Sequence, residues 1–116
     1  MITTDSLELL ASFLAGNSQT APTHIAFGTN ATAPNAEDVT LTSEFNRLAL
    51  TDTSLSGKEI QFTTIMTTAQ GNGTTFKEVG LFNASSSGTL FAHSVFVDID
   101  KTNTFEIQAT FVVRLE

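Results

Sequence analysis

From Phe105 to Glu116 the chain alternates. Phe105, Ile107, Ala109, Phe111, Val113 and Leu115 fall on one side, and Glu106, Gln108, Thr110, Val112, Arg114 and Glu116 on the other. A period of two belongs to a β-strand, whose side chains point in turn to opposite faces. One apolar and one mostly polar face mark an antiparallel strand that packs on a core and meets water behind. Such a strand needs a second layer over its apolar face. The rest of the chain must supply it.

The segment Phe76–Phe96, F-K-E-V-G-L-F-N-A-S-S-S-G-T-L-F-A-H-S-V-F, is the main supplier and organises the chain. It reads as two strands. Val79, Leu81 and Phe82 provide apolar bulk before the turn, and Leu90, Phe91, Val95 and Phe96 after it. Asn83–Gly88, with three Ser and a Gly, has the chemistry of a turn. Further strands are expected at His24–Gly28, around Leu48–Leu50 and at Glu59–Thr68. In the last of these Ile60 and Phe62 alternate with polar residues. The apolar phase then moves to Ile65-Met66, which predicts a bulge or a change of face. Turns are expected at Thr53–Lys58, at Ala69–Gly73 and at Asp98–Asn103, and a loop of small residues at Thr29–Asp38.

Before the strands lies one helix. Leu7, Leu10, Ala11 and Leu14 recur on one helical face, Thr4 or Asp5 can cap the start, and Gly16-Asn17 stops it. About three turns of helix are not stable alone in water, so this one must dock. It either packs within the domain on the sandwich or contacts a neighbouring subunit. The expectation is thus a mainly β fold: an antiparallel β-sandwich of about six or seven short strands with one N-terminal α-helix. At 116 residues it is a single domain, 1–116, with the helix in 1–16 and the sandwich in 23–116.

Charge and composition remove several functions. The net charge is −7 and the five basic residues, Arg47, Lys58, Lys77, Lys101 and Arg114, are scattered, which argues against nucleic acid as a partner. No apolar run approaches the roughly 18 residues that a membrane span needs, so no membrane insertion is expected. With no Cys there is neither a disulfide framework nor thiolate chemistry. The ten Phe without Trp or Tyr are packing residues that lack a polar handle, which disfavours stacking sites for sugars or single-stranded nucleic acid.

No catalytic set emerges. His24 and His93 have no Cys, Asp or Glu at a metal-ligand spacing, and His93 within a strand reads as a hydrogen-bonded structural residue. Asp98-Ile99-Asp100 lacks the further ligands of a calcium loop and reads as a solvated turn. Gly71-Asn72-Gly73 is not a phosphate loop, and Ser85–Ser87 has no nucleophile-elbow context. Glu37 and Asp38 sit in a polar loop with nothing evident to shift their pKa values. No catalytic residue, cofactor or metal is therefore expected. Three charged residues look placed: Glu44 and Arg47 before a strand, and Glu78 inside the apolar stretch K-E-V-G-L-F. They form either a rim salt bridge of little worth or a partly buried pair of Glu78 with Arg47 that fixes register between strands or subunits.

These motifs carry a resemblance. L-E-L-L-A-S-F-L-A-G, then T-H-I-A-F-G-T-N-A-T-A-P-N-A-E-D-V-T-L-T-S-E-F-N-R, then K-E-V-G-L-F-N-A-S-S-S-G-T-L-F-A-H-S-V-F and D-K-T-N-T-F-E-I-Q-A-T-F, resemble tail-fibre and baseplate-associated structural proteins of tailed viruses. In particular the chain is similar to the N-terminal attachment domain of phage tail-collar fibre proteins. The shared order is a strand ending in Gly, a loop ending in E-x-x-R, an E-V-G-L-F strand and a small-residue turn; Glu44, Arg47, Glu78 and Gly80 take the matching places.

The resemblance implies a non-enzymatic attachment module that anchors a fibre or plug to the virion as part of a trimer or higher ring. Its partners would be other virion proteins and its own copies, and its location the virion, assembled in the host cytoplasm. No shaft or receptor-binding tip follows Glu116, which favours a connector, decoration or tail-end component. Leu7, Leu10, Leu14, Glu44, Arg47 and Glu78 are the expected interface residues. A capsid-surface decoration or turret protein is the alternative within the class. A host-surface carbohydrate-binding module is the alternative outside it.

Overall fold

Seven strands form two antiparallel sheets, preceded by one helix, in a computed structural model that describes residues 1–115. The elements are α1 (Thr4–Leu14), β1 (His24–Gly28), β2 (Glu44–Ala49), β3 (Asp52–Ser56), β4 (Glu59–Met66), β5 (Thr75–Phe82), β6 (Leu90–Asp100) and β7 (Ile107–Arg114). One sheet runs β2-β1-β5-β6 and the other β3-β4-β7. The expected β-sandwich with an N-terminal helix is the fold observed.

Alternation explains the core. Ile25 and Phe27 of β1, Leu81 of β5, Ala92 of β6, Phe62 and Met66 of β4 and Ile107 of β7 meet between the sheets. Phe76 joins them and meets Phe27 edge-on, with ring centroids 5.7 Å apart. The chain passes from one sheet to the other just after β2. There Thr64 is wholly buried and donates its hydroxyl to Ala49 O at 2.7 Å, and Thr51 N donates to Thr63 O at 2.7 Å.

The four-stranded sheet has buried apolar residues on both faces. Its outer face carries Ala26, Phe82 and Leu90, which cluster with Leu41 from the segment between β1 and β2. Long, polar and without secondary structure, that segment lies over the sheet as a strap, although its composition promises no core. Gly80 leaves the space for it: a Cβ there would sit 2.7 Å from Leu41 Cδ2 and 2.9 Å from Leu90 Cδ1.

Several expectations need correction. β4 pairs with β7 in unbroken register from Glu59↔Arg114 to Met66↔Ile107, so no bulge lies at Ile65-Met66. Thr64 simply takes the inward place between Phe62 and Met66. The irregularities fall between β5 and β6, at Phe76/Glu78 and Leu81/Phe82, and between β1 and β2 at Phe27/Gly28. Thr53–Ser56 belongs to strand β3, not to a turn; every β3 residue is exposed, so no apolar period could announce it. Asp98 and Asp100 belong to β6, where Asp100 accepts from Thr75 Oγ1 at 2.6 Å.

The helix start also shifts. Thr3, not Thr4 or Asp5, is the N-cap: its extended backbone lets its hydroxyl accept from Ser6 N at 3.2 Å. The same hydroxyl donates to Leu90 O, and Thr3 N donates to Phe91 O at 3.0 Å, which seats the cap against β6.

Candidate functional site

The polar centre of the molecule is built on Glu78. This carboxylate sits mid-strand on β5, fully buried, on the face beneath the strap. β1 brings Gly28 directly opposite. A Cβ at Gly28 would lie 2.5 Å from Glu78 Oε2, so only glycine leaves the carboxylate its place.

Glu78 is then saturated by donors. Oε2 accepts from Asn30 N at 3.1 Å and Ser43 N at 3.0 Å. Oε1 lies 3.3 Å from Thr42 N, which donates to it, and 3.0 Å from His93 Nε2. A buried charge is tolerable when hydrogen bonds replace its water, and here three backbone N–H groups from both ends of the strap do so. The strap thus closes on Glu78 at its start and at its finish.

His93 extends the network. It lies on β6 in register with Gly80, and only 1% of it is exposed. Its Nδ1 is 2.9 Å from Asp38 Oδ2, in the middle of the strap. Asp38 Oδ2 also accepts from Asn35 N at 2.8 Å. That N–H, with His93 second, holds the Asp38 carboxyl below its ordinary value. The expectation that nothing would act on this loop carboxylate is therefore corrected. Asp38, His93 and Glu78 form one row from the surface to the buried face.

Arg47 does not pair with Glu78, and that part of the sequence reading is overturned. Its guanidinium takes Glu44 in a two-pronged bond, Nε to Oε2 at 2.8 Å and NH2 to Oε1 at 3.1 Å. NH1 donates to Ala84 O at 3.0 Å and Ser87 O at 2.7 Å, and the cation stands 3.6 Å above the Phe82 ring. Arg47 therefore pins the β5–β6 turn, inside the chain. Lys101, read from sequence as one of the scattered basic residues, is buried at the far end; its ammonium donates to Asn72 Oδ1 at 2.9 Å and Thr102 O at 2.8 Å.

As arranged, both Glu78 oxygens and both His93 nitrogens are engaged within the protein. The row acts as a latch on the strap. Among the described residues no group of three or more His, Asp or Glu is arranged to hold a metal ion. Among the described residues, too, no helix is long and apolar enough to cross a membrane.

The three leucines have another setting. Leu7, Leu10 and Leu14 are 59%, 36% and 75% exposed. The face read as the docking face is turned outward, and Ser6 is the one buried helix residue. Phe13, 58% exposed and outside the predicted face, joins them. Beside the helix a groove of about 510 Å³ opens at the end of the sandwich, where Leu7 and Leu10 face Ile60, Leu81, Phe91 and Val113. The structure thus brings Glu44 with Arg47 and sets Glu78 apart with His93 and Asp38. It leaves the helical leucines on the surface. Sequence reasoning found the β5–β6 hairpin but missed the His93–Glu78 contact, because the turn does not reveal the register, which shifts at Leu81/Phe82 and at Phe76/Glu78. No known protein family matches this chain, and no curated protein does.

Proposed function

We propose that this chain is a non-enzymatic virion structural protein, a β-sandwich connector of a viral tail or baseplate that works through contacts with neighbouring subunits. One observation carries the reading: the apolar row Leu7, Leu10, Phe13 and Leu14 lies uncovered beside an apolar groove. A helix of 11 residues gains its stability from packing, and exposed contiguous apolar surface marks an interaction site. A neighbouring subunit that covers the row supplies the missing packing.

The tail-collar resemblance supports the same reading. Its shared polar residues, Glu44, Arg47 and Glu78, act inside the chain, where they fasten a strap and a turn. They build a rigid body, and the surface is left for assembly. The −7 charge keeps free copies apart until a specific contact forms.

The test is sedimentation of the purified chain over a wide concentration range, followed by its location on particles. A trimer or larger ring and label at the tail end are expected. A monomer at every concentration sinks the assembly reading. Label over the shell replaces the connector with a capsid decoration.

A further inference from the structure

We infer that the open edge of β7 pairs antiparallel with β7 of a second copy, across a two-fold axis at Thr110. The inference rests on the assembly reading above for its purpose and on the strand's own geometry for its form.

The backbone argument comes first. Leu115 N donates to Lys58 O at 2.9 Å, in line with the unbroken β4–β7 register. In an antiparallel ladder, alternate residues aim their N–H and C=O at the same neighbour. Ile107, Ala109, Phe111 and Val113 therefore address β4, while Gln108, Thr110 and Val112 address the open side. β7 is last in its sheet, and among the described residues no hydrogen bond reaches the backbone of those three.

Unpaired edges are usually guarded by charge, bulges, short length or a cover. The other edges here are guarded. Met1–Thr3 covers the start of β6, with His93 N donating to Met1 O at 2.9 Å. β2 carries Glu44, Arg47 and a bulge, and β3 is five residues long. β7 has eight residues in regular register, without Pro, Gly or Lys, and more than half of them (Ile107, Thr110, Phe111, Val112 and Val113) are β-branched or aromatic.

The side chains select the partner and the register. With the axis at Thr110, Glu106 of each copy stands opposite Arg114 of the other, twice by symmetry, and Gln108 opposite Val112. Moving the axis to Ala109 or Phe111 takes Glu106 away from Arg114. Arg114 is exposed and bonded to Glu59 at 2.6 Å, so a second carboxylate would extend an existing ion pair. On the inner face Ala109 would stand opposite Phe111, and Ile107 opposite Val113. Phe111 and Val113 are only half-buried in the single chain, and a neighbouring strand would cover them. A two-fold contact closes on itself, so it either alternates with contacts through α1 in an even-numbered ring or joins two trimers that form through α1.

The chain has no Cys, which makes a cysteine scan clean. Position 110 would face its own copy at a Cα separation of about 5.5 Å, within disulfide range. Positions 108 and 112 would each lie roughly 13 Å from their counterparts, four residues along the strand. Mild oxidation should join Thr110→Cys into covalent dimers. Gln108→Cys and Val112→Cys alone should lose the cross-link, and mixing those two should restore it. Glu106→Lys, by setting two like-charged pairs across the edge, should weaken self-association roughly tenfold. An oligomer that cross-links without preference for 110, or that ignores Glu106→Lys, overturns this edge and leaves the assembly reading standing. A monomer throughout overturns both.

Discussion

The strap over the four-stranded sheet and the N-terminal helix have opposite settings. The strap, residues 29–43, has no periodicity and few apolar side chains, yet it is tied at both ends to a fully buried carboxylate and inserts Leu41 into a cluster. The helix has a regular apolar face, yet that face meets solvent. Apolar spacing says which side of an element seeks cover. It does not say that the same chain provides the cover. A polar loop, conversely, can be firmly held when a buried charge uses its backbone N–H groups as solvent.

The largest effect expected from breaking this contrast is at Glu78. In Glu78→Gln one of the two acceptor oxygens becomes an NH2 group that must face backbone donors. Leaving those groups unsatisfied in the interior should cost about 3–5 kcal/mol. Thermal or urea unfolding measures the loss, and hydrogen exchange at Asn30, Thr42 and Ser43 should speed up first. A change below 1 kcal/mol, with those amides still protected, would show that the strap is held by its other ties, Leu41 and Asp38–His93 among them, and not by Glu78.

Gly80→Ala tests that apolar half of the latch. The added methyl would meet Leu41 and Leu90 at under 3.0 Å. Both contacts are the ends of flexible side chains, so the strap can yield, and a cost of about 1–3 kcal/mol follows. Leu41→Gly in the Gly80→Ala background should recover part of it; equal loss in both backgrounds places the strain elsewhere.

Acid gives a smaller effect through Asp38. Its folded-state value is lowered, so the folded protein binds its proton less readily than the unfolded chain does. The stability it contributes is full above roughly pH 5, beyond the unfolded carboxyl value, and is lost as pH falls through the lowered folded value. Asp38 lies near the surface, which limits the contribution to about 1 kcal/mol or less. Asp38→Asn should therefore flatten the acid side of the stability profile, losing that contribution at pH 7 and changing little at low pH, where Asp38 is protonated in the folded and the unfolded chain. A profile of unchanged slope would remove Asp38 from the latch.

Much of the fold is legible in the sequence where one face is buried and one is wet. β7, β4 and the β5–β6 hairpin announce themselves by alternation and turn chemistry. β3 does not, because all five of its residues are exposed and no burial pattern is imposed on it. The false bulge at Ile65-Met66 follows from an apolar Ile65 next to a polar Thr64; Thr64 keeps the inward phase of Phe62 and Met66, because its hydroxyl is satisfied by Ala49 O and the core accepts it. Glu78 is conspicuous in sequence as a charge among apolar residues, but its partners are not. Arg47 is the obvious opposite charge, yet register sets His93 beside Gly80, with Glu78 near it, and assigns Arg47 to Glu44. The hairpin itself is legible; its register, shifted at Leu81/Phe82 and Phe76/Glu78, is not, and that register decides between equally plausible partners.

The smallest stability effect, and the most informative for function, is expected on the helix. Leu14 is 75% exposed and Leu7 59%, so Leu7→Ser with Leu14→Ser removes little buried apolar area from the single chain. Unfolding free energy should move by only about 0.5 kcal/mol, the usual range for surface positions. Self-association or particle incorporation should fall steeply in the same protein, because the apolar row would then lack its reason to be covered. Point variants are needed here in place of a deletion, since Ile2 and Thr3 are bonded to β6 and removing them would expose a sheet edge. A stability loss of about 2–5 kcal/mol, the scale of a core substitution, would instead mean that the row is buried within the chain itself. Unchanged stability with unchanged assembly would leave the helix without a partner and move the interface to the edge of β7.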